Sequence, residues 1–210
     1  MRFRDRTQAG ERLAQALAPW RGTAPLVAAI PRGAVPMAAI VARALEGDLD
    51  VVLVRKLAAP GNPEFAVGAV DETGWTFVAD YAHSAGASQA YLEGEVARQL
   101  ATIRERRERY TGGRGPVDAA DRVVIVVDDG LATGATMIAA LHAMRARRPR
   151  RLVCAVPVAS REAADAVRAY ADEVVCLDTP AMFYAVGQAY EQFPQVSDEE
   201  VVDALRAADR

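Results

Sequence analysis

Short apolar runs alternate with helical patterns along this chain, and this alternation restricts the fold more than any other feature. The runs are PLVAAI (25–30), DVVLV (50–54), RVVIVV (122–127), RLVCAVPV (151–158) and EVVCL (173–177). Each run is bounded by Gly, Pro or charged residues, as expected for a buried strand. The helical patterns VPMAAIVARALEG, ATMIAALHAMRARR and SREAADAVRAYA lie between them. We therefore expect an α/β fold, with an open, doubly wound and mainly parallel sheet covered on both faces.

Two segments fall outside this alternation. AVGAVDETGWTFVA (66–79) has strand-like pieces on both sides of Asp71–Gly74, which predicts a hairpin arm. SQAYLEGEVARQLATIRERRERY (88–110) predicts one long helix. Glu105 and Glu108 interrupt the arginines at its end, which favours a solvated helix face over a basic binding patch.

The composition argues against several classes of function. The chain has 25 basic and 28 acidic residues, and its net charge of −3 does not indicate a DNA-binding or membrane-binding surface. No apolar run approaches the roughly 18 residues of a membrane span, and the N-terminus lacks the apolar segment of a signal peptide. Cys154 and Cys176 lie inside apolar runs, which predicts reduced core thiols. These features favour a cytoplasmic protein.

The segment VVIVVDDGLATGATM, residues 123–137, carries the clearest functional signal. An apolar strand ends at Asp128 and Asp129, and after a short loop Thr133–Thr136 opens a helix. Ligands of open α/β sheets bind at the carboxyl ends of strands, and a helix N-terminus suits phosphate. The two acids accept hydrogen bonds from vicinal hydroxyls or bind a metal. The segment therefore predicts a site for a ribose phosphate.

This segment resembles the phosphoribosyl-diphosphate (PRPP) binding motif of type I phosphoribosyltransferases. The shared pattern is an apolar strand, two acids, a short loop and T-G-x-T. AAIPRGAVPMA, after the first strand, resembles the loop that wraps the pyrophosphate in this family, often through a cis peptide bond. VRKLAAPGNPEF resembles the basic residues and the start of the mobile loop that follow the second strand. The chain is most similar to a bacterial subgroup whose acceptor substrate is generally unassigned.

The resemblance implies a role for each candidate residue. It implies that Asp128, Asp129 and Lys56 are catalytic, and that Asp128 and Asp129 hold Mg²⁺, directly or through water. The residues implied for the 5′-phosphate are Ala132, Thr133, Gly134, Ala135 and Thr136, and those for the pyrophosphate are Arg32, Gly33, Arg55 and Lys56. In this interpretation Arg32 offers a guanidinium fork and Gly33 tolerates a strained backbone.

The resemblance also implies an organisation and a reaction. The 210 residues would form one phosphoribosyltransferase-like domain, with a core of about 20–180 and a hood and tail of about 179–210 joined by the N-terminal helix. The enzyme would transfer the 5-phosphoribosyl group from PRPP to a small nitrogen acceptor such as a nucleobase, with release of pyrophosphate. Members of the family are commonly dimers, which implies a homodimer. The tail VSDEEVVDALRAADR predicts a capped helix that starts at Ser197 or Asp198.

Two features concern the acceptor. In 6-oxopurine members an Asp precedes T-G-x-T and exchanges a proton with the base, whereas this chain has Ala132, which disfavours that mechanism. Phe183, Tyr184, Tyr190 and Phe193 of TPAMFYAVGQAYEQF could stack on a planar base. They could equally anchor the C-terminal tail in the core, and the sequence leaves both interpretations open.

Two other functions are compatible with parts of the sequence. A non-catalytic PRPP-binding regulator on the same fold is the main alternative. The chain has no spare helical extension for binding DNA, and the sequence leaves open an RNA-binding surface on the domain itself. VVIVVDDG also resembles the start of a phosphoacceptor receiver domain, but that class requires a later Lys, and no Lys follows Lys56.

Lys56 is the sole Lys among the 25 basic residues. Alternation along a strand predicts that either Arg55 or Lys56 points into the site, and the sequence does not decide which. A Lys differs from Arg as a compact charge on a flexible stem, which suits a crowded pyrophosphate pocket. Asn62, between Gly61 and Pro63, is expected to be a turn residue of the closing loop.

Overall fold

The computed structural model describes residues 2–208, apart from the side chain of residue 64. The helices in this part are α1 Arg6–Ala16, α2 Val35–Leu45, α3 Gln89–Thr111, α4 Ala135–Ala146, α5 Arg161–Val167 and α6 Asp198–Ala208. The strands are β1 Leu26–Ala29, β2 Asp48–Val51, β3 Val54–Ala59, β4 Asn62–Asp71, β5 Thr76–Val78, β6 Val123–Val127, β7 Arg151–Val158 and β8 Glu173–Asp178. Two short 3-10 helices cover Ala18–Trp20 and Val186–Ala189.

The main sheet is parallel, with the strand order β2-β1-β6-β7-β8. Leu26 of β1 pairs with Val124 of β6 on one side and with Asp48 of β2 on the other. Side chains of β6 alternate between two apolar clusters, because neighbouring residues of a strand face opposite sides of the sheet. Helices α1, α2 and α6 pack in one cluster, and α4 and α5 pack in the other. The predicted open α/β fold is confirmed.

A second, antiparallel sheet of β3, β4 and β5, here the arm sheet, packs against α3 and α4. The predicted hairpin is present, because β4 and β5 pair with Val70 opposite Thr76. The arm sheet is larger than predicted, since β3 and β4 form a further hairpin with a tight turn at Pro60 and Gly61. Gly61 has φ +72°, a backbone conformation that favours glycine.

Two expectations about residues 50–65 are wrong. The run 50–54 is not one strand, because β2 ends at Val51 and Val54 begins β3 in the other sheet. The carbonyl of Leu53, between them, accepts a hydrogen bond from the Glu72 amide (3.1 Å). The chain therefore joins the arm sheet directly after β2 ends. Residues 58–65 are hairpin strands and their turn rather than a loop, and Asn62 begins β4 opposite Ala59.

Side chains cap the N-termini of α1 and α6, the helices nearest to the two ends of the described chain. Asp5 accepts a hydrogen bond from the Gln8 amide (2.8 Å) at the start of α1. Ser197 and Glu200 form a reciprocal capping box, because the Glu200 amide donates to Ser197 Oγ (3.1 Å) and the Ser197 amide donates to Glu200 Oε2 (2.7 Å). The predicted capped helix at the C-terminal tail is confirmed. Within residues 2–208, no helix has the length and apolar character needed to cross a membrane.

Arg107 of α3 connects the edge of the main sheet to the arm sheet. Its Nη1 donates to Asp50 Oδ1 (3.0 Å), and its Nη2 donates to Glu72 Oε2 (2.8 Å) and to the Val51 carbonyl (2.9 Å). The Asp50 side chain is only 2% exposed. Burial raises the pKa of Glu72, and the charge of Arg107 opposes that rise. Because buried carboxylates require a compensating cation, Arg107 fixes the position of the arm sheet.

We predict that Arg107→Leu lowers the free energy of unfolding by about 3–5 kcal/mol, because it leaves two buried carboxylates without their cation. Arg109→Leu is the matched control on the same helix, since the Arg109 side chain is 53% exposed in its ion pairs with Asp198 and Glu199. That control should change stability by at most about 1 kcal/mol. Urea denaturation measures both values, and equal losses for the two variants would contradict the role of Arg107.

Candidate active site

The two acids of the motif follow β6 at the carboxyl edge of the main sheet. The Asp129 amide donates to Asp128 Oδ1 (2.8 Å), so the two residues form a tight corner as the strand ends. The loop after them is tied to the neighbouring strand, because the Leu131 amide donates to the Val158 carbonyl (3.0 Å) and the Ser160 amide donates to the Leu131 carbonyl (2.9 Å).

Ser160 fixes the loop further. Its hydroxyl donates to the Ala132 carbonyl (2.9 Å) and accepts a hydrogen bond from the Ala163 amide (3.0 Å) as the N-cap of α5. Gly134 then has φ +79°, in the left-handed region, and α4 begins at Ala135. The loop therefore delivers the N-terminus of α4, with its unpaired amides and positive dipole end, to the carboxyl edge of the sheet.

A cavity of about 200 Å³, here the motif cavity, lies at this corner. It is lined by Lys56, Asp128 and side chains or backbone of the loop and α4, namely Ala132, Thr133, Gly134 and Thr136. Ala135 is not among its lining residues. The structure thus brings together, around one small cavity, most of the residues that the sequence assigns to a phosphate and a diol.

A larger cavity of about 680 Å³, here the arm cavity, lies between the arm sheet and α3. Lys56 and Thr136 line both cavities, so the two cavities adjoin, and together they are called the crevice. Arg55 and Arg106 add two further cations to the arm cavity. Arg55 Nε donates to Gln99 Oε1 (2.8 Å), and burial followed by the nearby charge of Arg106 lowers the pKa of Arg55. These charges make the arm cavity suitable for a multiply charged anion.

Both basic residues of β3 line the arm cavity, so the expectation that only one of them points into the site is wrong. Lys56 is the one that also lines the motif cavity together with Asp128. The charge of Lys56 acts to lower the pKa of Asp128, although burial and the adjacent Asp129 together raise that pKa well above its usual value. The sequence does not single out Arg106, because the interleaved acids of RERRERY favour a solvated face. Tyr91, Glu95, Gln99 and Arg106 repeat at helical spacing along one side of α3, and this pattern could have identified it.

The loop after β1 matches one expectation and differs from two others, which concern Arg32 and Gly33. It contains the cis peptide bond Pro31–Arg32 that the resemblance implies. The Arg32 side chain, however, extends toward α6, where Nη1 lies 3.7 Å from Asp198 Oδ1. Gly33 does not have a positive φ. Its requirement is for space, because a Cβ at Gly33 would lie 2.1 Å from Asp129 Oδ2.

Asp129 is paired with a residue that the sequence did not indicate. Arg6 Nη2 and Nε donate to Asp129 Oδ2 at 2.9 and 3.1 Å. The side chains of Arg6 and Asp129 are 10% and 17% exposed. Asp128 and Asp129 therefore have different surroundings, since Asp128 lines the motif cavity and Asp129 is held by Arg6.

The aromatic residues of the hood segment, residues 179–193, separate into two groups. Tyr184 is 78% exposed, and Phe183 and Tyr184 line a cavity of about 230 Å³ beside Met182. Tyr190 is only 3% exposed. The centroid of its ring lies 5.7 Å from that of Phe3 and 4.7 Å from that of Phe193. Its hydroxyl donates to the Asp129 carbonyl (2.7 Å). Tyr190 therefore anchors the segment in the core, and its ring is not open to an acceptor.

In residues 2–208, no group of three or more His, Cys, Asp or Glu side chains could hold a metal ion alone.

The model of the phosphoribosyl transferase domain family matches residues 5–193 of this chain. The chain belongs to the phosphoribosyl transferase domain family. The resemblance inferred from the motif is thus confirmed.

Similar proteins support this membership. "Putative phosphoribosyl transferase Rv0571c" and "Putative phosphoribosyl transferase MT0597", both from Mycobacterium tuberculosis, are 44% identical over 209 residues. The match covers 99% of this chain and 47% of each relative, so the chain spans about half the length of the curated relatives it matches. The crystal structure of TT1426 from Thermus thermophilus is 53% identical, covers 98% of both chains and has a TM-score of 0.83.

We predict that Gly33→Ala lowers the free energy of unfolding by about 1–3 kcal/mol, because an added Cβ would overlap the Asp129 carboxylate and force backbone shifts in this phosphoribosyl transferase domain. Gly94→Ala is the control, since a Cβ there meets no atom within 4 Å and α3 should gain up to about 1 kcal/mol. Chemical denaturation measures both. A Gly33→Ala protein as stable as the wild type would show that the loop does not press on Asp129.

Proposed function

We propose that this chain is a phosphoribosyltransferase that binds PRPP with Mg²⁺ and transfers the 5-phosphoribosyl group to a nitrogen acceptor. The observation that carries the proposal is the crevice, in which the motif cavity and the arm cavity adjoin at Lys56 and Thr136. Lys56 lines both parts, and the N-terminus of α4 and the acid Asp128 stand at one end. A ligand with a phosphate, a diol and a diphosphate matches this order of groups.

The residue roles follow the chemistry of the crevice. The backbone amides and hydroxyls of residues 132–136 would bind the 5′-phosphate at the helix N-terminus. Asp128 would accept hydrogen bonds from the ribose hydroxyls. Arg55, Lys56 and Arg106 would bind the pyrophosphate, and the Gly33 loop would lie beside it. Arg32 would join them only after leaving Asp198.

The proposed reaction breaks the bond between C1 of PRPP and its diphosphate oxygen and forms a bond from C1 to the acceptor nitrogen. The electron pair leaves with pyrophosphate, and the acceptor nitrogen gives up its proton. Because charge develops on the leaving group, the cations of the arm cavity would stabilise the transition state. Fixing the two reactants in line would supply much of the remaining acceleration. Bound Mg²⁺, held by Asp128 and the phosphates, would neutralise further negative charge.

The acceptor would bind beside the hood segment, on the side of the motif cavity that Val186 lines. Phe183 and Tyr184, which line the cavity of about 230 Å³ in the same segment, are the aromatic side chains that would contact a planar base. Because Ala132 stands where 6-oxopurine enzymes have an Asp, no acid at this position would exchange a proton with the acceptor. Proton removal would then fall to solvent or to pyrophosphate.

The decisive experiment is an assay of pyrophosphate release from PRPP and Mg²⁺ with a panel of nucleobases and other nitrogen acceptors. Turnover with at least one acceptor is expected. PRPP binding without turnover on any acceptor would favour the regulatory alternative. No binding of PRPP, with no anion at residues 133–136 in crystals soaked in phosphate, would overturn the proposal.

We predict that Lys56→Arg lowers kcat/KM by about 10- to 100-fold although the charge is kept, because a wide planar guanidinium would displace ligand groups in the shared part of the crevice. Arg104→Lys, on an exposed position of α3, is the control for a like-charge exchange and should leave kcat/KM unchanged. Steady-state kinetics with PRPP measures both. Near-normal turnover of Lys56→Arg would show that only the charge matters.

We further propose a homodimer that uses the arm sheet. Phe65 and Val78 of the arm sheet and Tyr81 just after it are 44%, 41% and 51% exposed. The ring centroids of Phe65 and Tyr81 lie 5.6 Å apart in a stacked arrangement. Burial of such side chains against a second copy would remove apolar surface from water.

Sedimentation should give twice the chain mass of 22.5 kDa. Phe65→Ser should shift the equilibrium toward the monomer, because it removes a large part of the apolar surface on the arm. Tyr170→Ser, on an exposed residue distant in sequence (36% exposed), should not shift it. A monomeric wild type would contradict the dimer and leave the proposed reaction unaffected.

A further inference from the structure

Arg6 is the most completely engaged cation near the crevice. Besides its two hydrogen bonds to Asp129, its Nη1 donates to the Pro194 carbonyl (2.6 Å). Its guanidinium carbon lies 3.8 Å from the centre of the Phe193 ring. All three guanidinium nitrogens and one face of the group are thus in use, and the side chain is 10% exposed. A group so enclosed does not meet the ligand itself.

Asp129, at the end of β6, is correspondingly enclosed by three other segments of the chain. α1 supplies Arg6, and the loop after β1 supplies Gly33, whose added Cβ would lie 2.1 Å from Asp129 Oδ2. The hood segment supplies Tyr190, which donates to the Asp129 carbonyl. Asp129 therefore serves as the point where the N-terminal helix, the Gly33 loop and the hood meet the end of β6.

Asp128 has the opposite environment. It lines the motif cavity together with Lys56 and Thr133, whereas Asp129 lines neither the motif cavity nor the arm cavity. The two neighbouring acids are therefore not equivalent. One is directed at the ligand site and the other is neutralised by a buried guanidinium on its far side.

We propose that Arg6 is a positioning residue: its ion pair with Asp129 holds the Gly33 loop against the end of β6 and leaves Asp128 as the acid that meets the ligand. Without Arg6, the Asp129 carboxylate loses its cation in an enclosed place. It would turn toward Lys56 in the crevice or expel the loop, and either movement would weaken binding of an anionic ligand. The kinetic part of this inference rests on the proposed function, because it uses PRPP as the probe.

The first test compares Arg6→Gln, Arg6→Lys and Arg4→Gln. Arg6→Gln should raise the KM for PRPP by about 10- to 100-fold with little change in kcat, since the loop is misplaced but the reacting groups are retained. Arg6→Lys keeps one charged hydrogen bond and should fall between this variant and the wild type. Arg4, an exposed residue paired with Asp5, should tolerate Gln. A fall in kcat with unchanged KM would indicate lost folded enzyme and overturn a positioning role.

The second test removes the charge of the partner as well. The combined variant Arg6→Gln/Asp129→Asn should have a lower KM for PRPP than Arg6→Gln alone, because no unpaired carboxylate remains and two amides can still form a hydrogen bond. If Asp129 itself bound the ligand, the combined variant would be at least as impaired as Arg6→Gln. That outcome would overturn the proposal.

A third readout does not depend on PRPP. Crystals of Arg6→Gln should show residues 31–34 and the Asp129 side chain displaced from their positions in wild-type crystals. An unchanged loop with Asp129 still against Gly33 would overturn the proposal. A wild type that does not bind PRPP, or an Asp128→Asn variant with unaltered binding, would instead count against the proposed function and leave this structural prediction to be decided by the crystals.

Discussion

The burial of β6 on both faces of the sheet is the constraint from which the rest of the structure follows. Five consecutive apolar residues in the centre of the sheet leave no polar side chain along the strand, so the first polar groups appear where it ends. Asp128 and Asp129 stand at that end, next to the loop after β1 because β1 and β6 are neighbours. The crevice is thus located by the sheet order, as expected for open α/β folds.

Charge is distributed unevenly around this edge. The acids lie at the centre, and cations approach from three different elements: Arg6 from α1, Lys56 and Arg55 from the arm sheet, and Arg106 from α3. The cation on the side away from the crevice is consumed in a buried ion pair. Those on the arm side remain directed into the arm cavity, which gives the crevice a net attraction for anions despite the acidic chain as a whole.

The sequence was sufficient for the parallel sheet, the motif and the capped tail, because each depends on local patterns of a few residues. It could not indicate the pairing of Arg6 with Asp129, since 123 positions separate them. It also could not decide where the run 50–54 leaves the main sheet, because both sheets offer an apolar environment. The orientation of Arg106 toward the arm cavity and the burial of Tyr190 depend on which elements pack together. The charge of an arginine or the aromatic ring of a tyrosine does not by itself predict this packing.

The hydroxyl of Ser160 has a consequence for which parts of the site can vary. Its hydrogen bonds to the Ala132 carbonyl and to the Ala163 amide tie the loop after β6 to the first turn of α5. Because these two elements follow the neighbouring strands β6 and β7, the distance between them is set by the spacing of strands, about 4.8 Å. This part of the site therefore keeps its width whichever ligand enters. Adjustment to ligands of different size is left to the parts without such ties, the exposed end of the hood segment and the tip of the arm sheet.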